Sequence, residues 1–125
     1  MRSTTKVTGM ELTPAISDYL DKKITSLDKL IDKEDTSALA KVEIGKTSNH
    51  HNQGEVFRAE ITLHIAGADF RVESEKDNLY AAIDAVRDQM HQELQSYKRK
   101  KVSLVRRGGA KIKSVLKGLT NRGKE

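Results

Sequence analysis

Lys98, Arg99, Lys100 and Lys101 are four cations in succession, and seven more basic residues follow them, Arg106 and Arg107 first. Ammonium and guanidinium groups at this density do one kind of chemistry: they draw in a polyanion and hold its charged oxygens. Charge is divided along the chain in the same sense. Residues 1–97 carry 12 Lys/Arg against 17 Asp/Glu, a balance of −5, whereas residues 98–125 carry 11 Lys/Arg against Glu125 alone, a balance of +10. The overall charge of +5 is therefore owed to the C-terminal stretch. RNA, DNA and an anionic membrane surface are the partner classes that this asymmetry implies.

Other chemistries find little support. His50 and His51 are neighbours on a glycine-bounded loop, His64 falls on an outward strand position and His91 on a helix. Metal ligands converge from fixed elements or stand four apart on a helix, and these histidines do neither. Glu60 and Glu73 alternate with Arg58 and Arg71, so cross-strand ion pairing accounts for them. The chain has no cysteine, which excludes disulfides, thiolate metal sites and a thiol nucleophile and suits a reducing compartment. No GxSxG elbow occurs, and Gly108-Gly109, with no strand before it, is no phosphate loop. The expectation is a protein without catalysis, cofactor, metal or small-molecule substrate. The N-terminal MRSTTKVTGMELTP lacks the apolar run of a signal peptide, and no stretch approaches the roughly 20 apolar residues of a membrane span. A cytoplasmic protein with no membrane partner is expected.

The elements that must position these cations follow from periodicity. Residues 2–8, RSTTKVT, read as a strand ending at Gly9. Thr13-Pro14 opens a helix, with Thr as N-cap and Pro at the first helical position; Ile16, Leu20, Ile24, Leu27 and Ile31 carry its apolar stripe to about residue 33. LAKVEIGK, from residue 39, alternates as a strand. In VFRAEITLHIAG, residues 57, 59, 61, 63 and 65 are apolar against polar Arg58, Glu60, Thr62 and His64. A turn at Gly67-Ala68-Asp69 leads into FRVES. Asp77 can cap a second helix striped by Leu79, Ile83, Val86, Met90, Leu94 and Tyr97. The order is β-α-β-β-β-α, and one-sided strands with two one-sided helices predict an α+β two-layer sandwich, a four-stranded sheet with two helices on one face. Residues 1–101 form the domain. Residues 102–125 are expected to be a basic tail, mobile in the free protein, in which Ile112, Val115, Leu116 and Leu119 permit a short helix on contact with a partner.

At about 100° per residue, the first helix sorts its charges by sign. Asp18, Asp21, Asp28 and Asp32 fall on one flank of the apolar stripe, while Lys22, Lys29 and Lys33 fall on the other. Lys23 lies at the apolar edge and must extend along it. On the second helix Arg87, His91 and Lys98 share one arc beside the stripe. A helix C-terminus favours one or two cations through its dipole, but not the number present here. With the helices side by side, the two cationic flanks would meet along one groove, the acidic flank turned away. This reads as a nucleic-acid surface made by helices.

The stretch ESEKDNLYAAIDAVRDQMHQEL, residues 73–94, and within it LYAAID, resembles the ribosome hibernation-promoting factor family, which includes the ribosome-associated inhibitor also called protein Y. YLDKKITSLDKL, residues 19–30, is similar to the family's first helix, and the resemblance covers residues 1 to about 101. It implies the same β-α-β-β-β-α fold, related to double-stranded RNA-binding domains. It further implies a stress factor of starved or resting cells that binds the small ribosomal subunit at the A and P sites, contacts 16S ribosomal RNA, inhibits translation and preserves idle ribosomes. Carried onto this chain, the RNA-facing positions are Lys22, Lys23 and Lys29, with Lys98 and Lys100. Charge patterning adds Lys33, Arg87, His91, Arg99, Lys101, Arg106 and Arg107. Gln89 and Gln92 stand where many members have basic residues, so the phosphate contacts are expected to shift along the helix. Long members carry a dimerisation domain that pairs two ribosomes where this chain has its basic tail, so self-driven ribosome dimerisation is not expected; the free protein is expected to be a monomer. The alternative is a generic module for double-stranded or structured RNA, recognised by shape.

Overall fold

In the computed structural model, which describes residues 1–47 and 54–106, the elements are β1 (Arg2–Thr8), α1 (Pro14–Asp28), β2 (Leu39–Thr47), β3 (Val56–Ile65), β4 (Ala68–Lys76) and α2 (Leu79–Arg106). The sheet order is β1-β2-β3-β4. β2, β3 and β4 form the expected antiparallel meander. β1 pairs with β2 in parallel, because α1 carries the chain back across the sheet between them. The sheet is therefore mixed, and both helices cover one face of it. His50 and His51, and the residues 107–125 to which Arg107 and the expected tail helix belong, lie outside the described residues.

The core follows the alternation. Val42, Ile61 and Val72 stand abreast on three neighbouring strands, as do Ala40, Leu63 and Phe70. Against them α1 buries Ile16, Leu20 and Leu27, and α2 buries Leu79, Ala82, Ile83, Val86, Met90 and Leu94. Aliphatic side chains carry this interior; Phe70 and Tyr97 meet at its margin with ring centroids 5.5 Å apart.

Local chemistry sets the ends. Thr13 caps α1, its Oγ1 accepting from the Ile16 N–H at 3.2 Å, with Pro14 in the first turn. α1 stops at Asp28 rather than near residue 33. There the bonding tightens to three-residue steps, Leu30 N–H to the Leu27 carbonyl and Ile31 N–H to that of Asp28, as helix ends often do. Ile31 stays buried, which is why its spacing looked helical. Asp35 then ties this connection to the sheet, accepting from the Ala66 N–H at 2.7 Å and from Ser37. The β3–β4 turn is Ala66-Gly67, one residue earlier than its composition suggested, since Ile65 pairs with Ala68; Gly67 takes φ +85°, a value glycine accepts freely. Asn78, not Asp77, caps α2: its Oδ1 accepts from the N–H groups of Tyr80 at 2.8 Å and Ala81 at 3.3 Å. α2 also continues through the cationic block to Arg106, so the division at residue 101 falls within a helix.

The outer sheet face is bound by ion pairs. Glu43, Glu60 and Glu73 stand side by side across β2, β3 and β4, and like charges in register repel. Two arginines neutralise Glu60 and Glu73. Arg71 Nε meets Glu60 at 2.6 Å, and Arg58 bonds both Glu60 and Glu73. The Arg71 bond, with Arg58 beside it, holds the Glu60 carboxyl below its usual range despite partial burial. A carboxyl with a lowered pKa stabilises the fold above its unfolded pKa, near 4.5, and that contribution is lost as pH falls through the lower folded value. Thermal melting from pH 6 to pH 2.5 will therefore show a decline beginning below about pH 4.5, and Glu60→Gln will start less stable and decline less steeply. A parallel decline in both proteins would remove Glu60 as a contributor.

Candidate nucleic-acid interface

Equivalent stripes meet where the helices touch. Tyr19, Lys23 and Ser26 recur on α1 at four- and three-residue steps, and Tyr80, Asp84 and Arg87 do so on α2, one side of a helix in each case. The Tyr19 hydroxyl donates to Asp84 Oδ1 at 2.5 Å, and Lys23 Nζ lies 3.1 Å from the same oxygen. The Tyr19 and Tyr80 rings meet edge to face at 4.8 Å, with the Lys23 ammonium 5.0 Å from the Tyr19 centroid. One turn on, Arg87 Nε donates to Ser26 Oγ at 2.9 Å and its guanidinium reaches Asp88 at 3.1 Å. Tyr19 and Lys23 thus match Asp84 while Ser26 matches Arg87, so the helices run in the same direction and their C-terminal ends lie together.

Electrostatics follow from this clasp. Burial alone would raise the Asp84 carboxyl, but the bonds from Tyr19 and Lys23 outweigh it and hold the group below the usual carboxylate range. The same bond to Asp84 raises both the Tyr19 phenol and the Lys23 ammonium. Lys23 and Arg87 are therefore brought together across the helix pair, but their donors serve Asp84, Ser26 and Asp88. Lys22 and Lys29 are exposed on α1, Lys29 as its C-cap. Lys33 sits beyond the helix, in the turn created by the early end of α1. His91 is half-buried one turn past Arg87.

At the C-terminal end Lys98 and Lys101 line a cavity of about 190 Å³ together with Leu30, Ile31 and Tyr97, and the Lys101 ammonium stands 4.7 Å from the Tyr97 centroid. The cationic block is thus beside the end of α1, as the groove reading expects. Because α2 is continuous here, the four cations turn about 100° per residue and encircle the helix instead of sharing one flank. Arg99 points the other way, to a concavity shared with Val72, Gln89 and Gln92; the two glutamines are therefore on the side of α2 away from α1. The acidic flank is only partly turned away. Asp28 meets the N-terminal amine on the β1 side at 3.2 Å, but Asp32 lies on the rim of the same cavity as Lys98. Among the described residues, Lys22, Lys29, Lys33 and Lys98 through Lys101 form no ion pair. Arg106 closes α2. His64 pairs with Asp69 on the outer sheet face, Nδ1 to Oδ1 2.6 Å.

The sequence reading missed Tyr19, Ser26, Tyr80 and Asp84. Their signal was the shared spacing of polar and aromatic residues on facing helices, which carries meaning only once the helices are known to be neighbours.

A mixed four-stranded sheet, two codirectional helices on one face and exposed lysines on those helices define an α+β domain with a cationic helical surface. The family described as "Sigma 54 modulation protein / S30EA ribosomal protein" matches residues 4–102, and the chain belongs to it. It is 29% identical over 93 residues to a ribosome hibernation promoting factor of Azotobacter vinelandii, covering 74% of this chain and 78% of that one. A factor of the same name from Pseudomonas putida is 29% identical over 103 residues, covering 82% and 91%. The protein Y N-terminal domain of Thermus thermophilus superposes with a TM-score of 0.64 at 33% identity, over 78% of this chain and 99% of that domain. The resemblance read from LYAAID and the α+β fold are both borne out. A likeness to double-stranded RNA-binding domains is not established by these matches.

Proposed function

We propose that this protein is a ribosome hibernation factor. It binds the small ribosomal subunit through its helices, against 16S ribosomal RNA in the channel of the A and P sites, and inhibits translation while keeping idle ribosomes intact. The observation that carries the reading is the family match over residues 4–102, in which relatives named as hibernation promoting factors are aligned over most of their length. The exposed cations at the joined ends of α1 and α2 supply the physical means, and residues 102–125, which follow that end in the chain, bring further positive charge. No catalytic step is involved. The protein would act in the cytoplasm, where its target is.

Sedimentation through a sucrose gradient with purified small subunits, in parallel with binding to an isolated 16-base-pair RNA duplex, tests the proposal. Co-migration with the subunit, weak duplex binding and arrest of a cell-free translation reaction are expected. Equal affinity for duplex and subunit would favour a generic RNA-binding module instead, and no co-migration would reject both the partner and the mechanism.

A further inference from the structure

Asp84 is an anion at the middle of the surface that is meant to receive phosphates. Its side chain is 45% exposed, so it is not concealed by the helices it joins. Both Tyr19 and Lys23 bond its Oδ1, and no bond to its Oδ2 occurs among the described residues. It cancels the charge of Lys23, and Asp88 engages Arg87 one turn further on. The N-terminal half of the interhelical seam therefore pairs each of its central cations with a carboxylate. Lys98 lies 14 residues further along α2, about 21 Å at 1.5 Å per residue. That exceeds the Debye length of about 8 Å at physiological salt, so Asp84 does not offset the cations there, beside which Asp32 lies on the cavity rim. The seam is electropositive at one end and balanced, with a carboxylate facing outward, at the other.

Resting on the RNA-binding reading above, we infer that Asp84 is a specificity-determining residue: its carboxylate keeps phosphate off the N-terminal half of the interhelical seam. A regular duplex presents phosphates continuously and would bring some of them against Asp84. A folded RNA surface with an interruption in its phosphates, offering a sugar hydroxyl or a base amine there, meets no such repulsion and can donate to Oδ2. Discrimination between folded RNA and plain duplex then comes from a repulsive element as much as from attraction. The lysines bring the RNA in, and Asp84 decides which RNA surface is accepted.

The test is Asp84→Asn, which keeps an oxygen for the Tyr19 hydroxyl but removes the charge and frees Lys23. Binding of the whole protein to purified small subunits and to a 16-base-pair RNA duplex is measured from 50 to 200 mM salt. Duplex affinity should rise several-fold and its log–log salt slope should steepen by about one, as one additional phosphate neutralised would require. Subunit affinity should not rise with it, because an RNA donor to Oδ2 loses its acceptor, so the preference for subunits falls. Tyr19→Phe breaks the same hydrogen bond without altering seam charge, and should melt earlier with an unchanged salt slope. The inference is overturned if Asp84→Asn leaves slope and preference unaltered, or if Tyr19→Phe reproduces its effect, which would make Asp84 a structural clasp only. Wild-type protein that binds neither probe would instead remove the RNA-binding reading itself, and this inference with it.

Discussion

Replacing Lys22, Lys29 and Lys98 through Lys101 with glutamine will abolish ribosome association at physiological salt while leaving the fold intact. All six side chains are exposed, and none is in an ion pair among the described residues, so their replacement breaks no internal salt bridge. Surface changes of this kind alter stability by within about 0.5 kcal/mol each. Every phosphate that goes unneutralised lowers the log–log salt slope by roughly 0.7 to 0.9, so six would flatten it by about four to five. Affinity near 100 mM salt should fall by at least about a thousandfold. A matched control is Lys6→Gln with Lys41→Gln, which removes exposed cations from the outer sheet face; it should leave the slope almost unchanged. Gradient sedimentation and a melting curve on each variant decide the matter. If the sixfold variant still co-sediments with small subunits at physiological salt, the helices are not the RNA surface.

Much of this arrangement is legible in the sequence. The period of two in VFRAEITLHI and of three to four in the stripe from Leu79 to Leu94 reflects burial on one side, which local sequence records directly. Thr13-Pro14 marks a helix start through chemistry confined to one turn. Where the sequence misleads, a distant partner decides. α1 ends at Asp28 because the chain must reach β2, and Asp35 fastens that connection to Ala66 on the far hairpin; neither fact is visible in residues 29–35 alone. Asn78 and Asp77 are equally good caps by type, and only the backbone geometry selects between them. For the site, exposure of Lys22, Lys29 and Lys98 is legible as charge pattern. The commitment of Lys23 and Arg87 is not, since it depends on Asp84 and Ser26 belonging to opposite helices. Continuity of α2 to Arg106 is obscured because the apolar stripe ends at Tyr97 and the sequence after Lys101 has no pattern that could join the core.

Leu27→Ala will have the largest effect on stability, and it will act through the cationic surface as well. α1 buries three side chains of its own in the core, Ile16, Leu20 and Leu27, with Tyr19 and Ile24 packed half-buried beside them, and Leu27 is fully buried. Removing it leaves a cavity the rigid sheet cannot close, at a cost of about 3 kcal/mol. For a domain of this size the melting temperature should drop by more than about 10 °C. Leu12→Ala is the contrast: Leu12 is 43% exposed before the helix begins, so the same chemical change there should stay within about 0.5 kcal/mol. Well below its melting point the Leu27 variant will still fold, but α1 will be less firmly docked, and Lys22 and Lys29 will have to be ordered on binding. That ordering opposes association by a fraction of a kcal/mol per side chain, so affinity for small subunits should fall a few-fold with an unaltered salt slope. On the RNA-binding proposal, slope and affinity would thereby separate two roles of α1: the number of phosphates met would belong to its lysines, and the readiness with which they are met to Leu27. A variant melting within about 2 °C of wild type would mean that α1 is not packed on the sheet as described, because filled interiors do not lose three methyl-sized groups without a measurable cost.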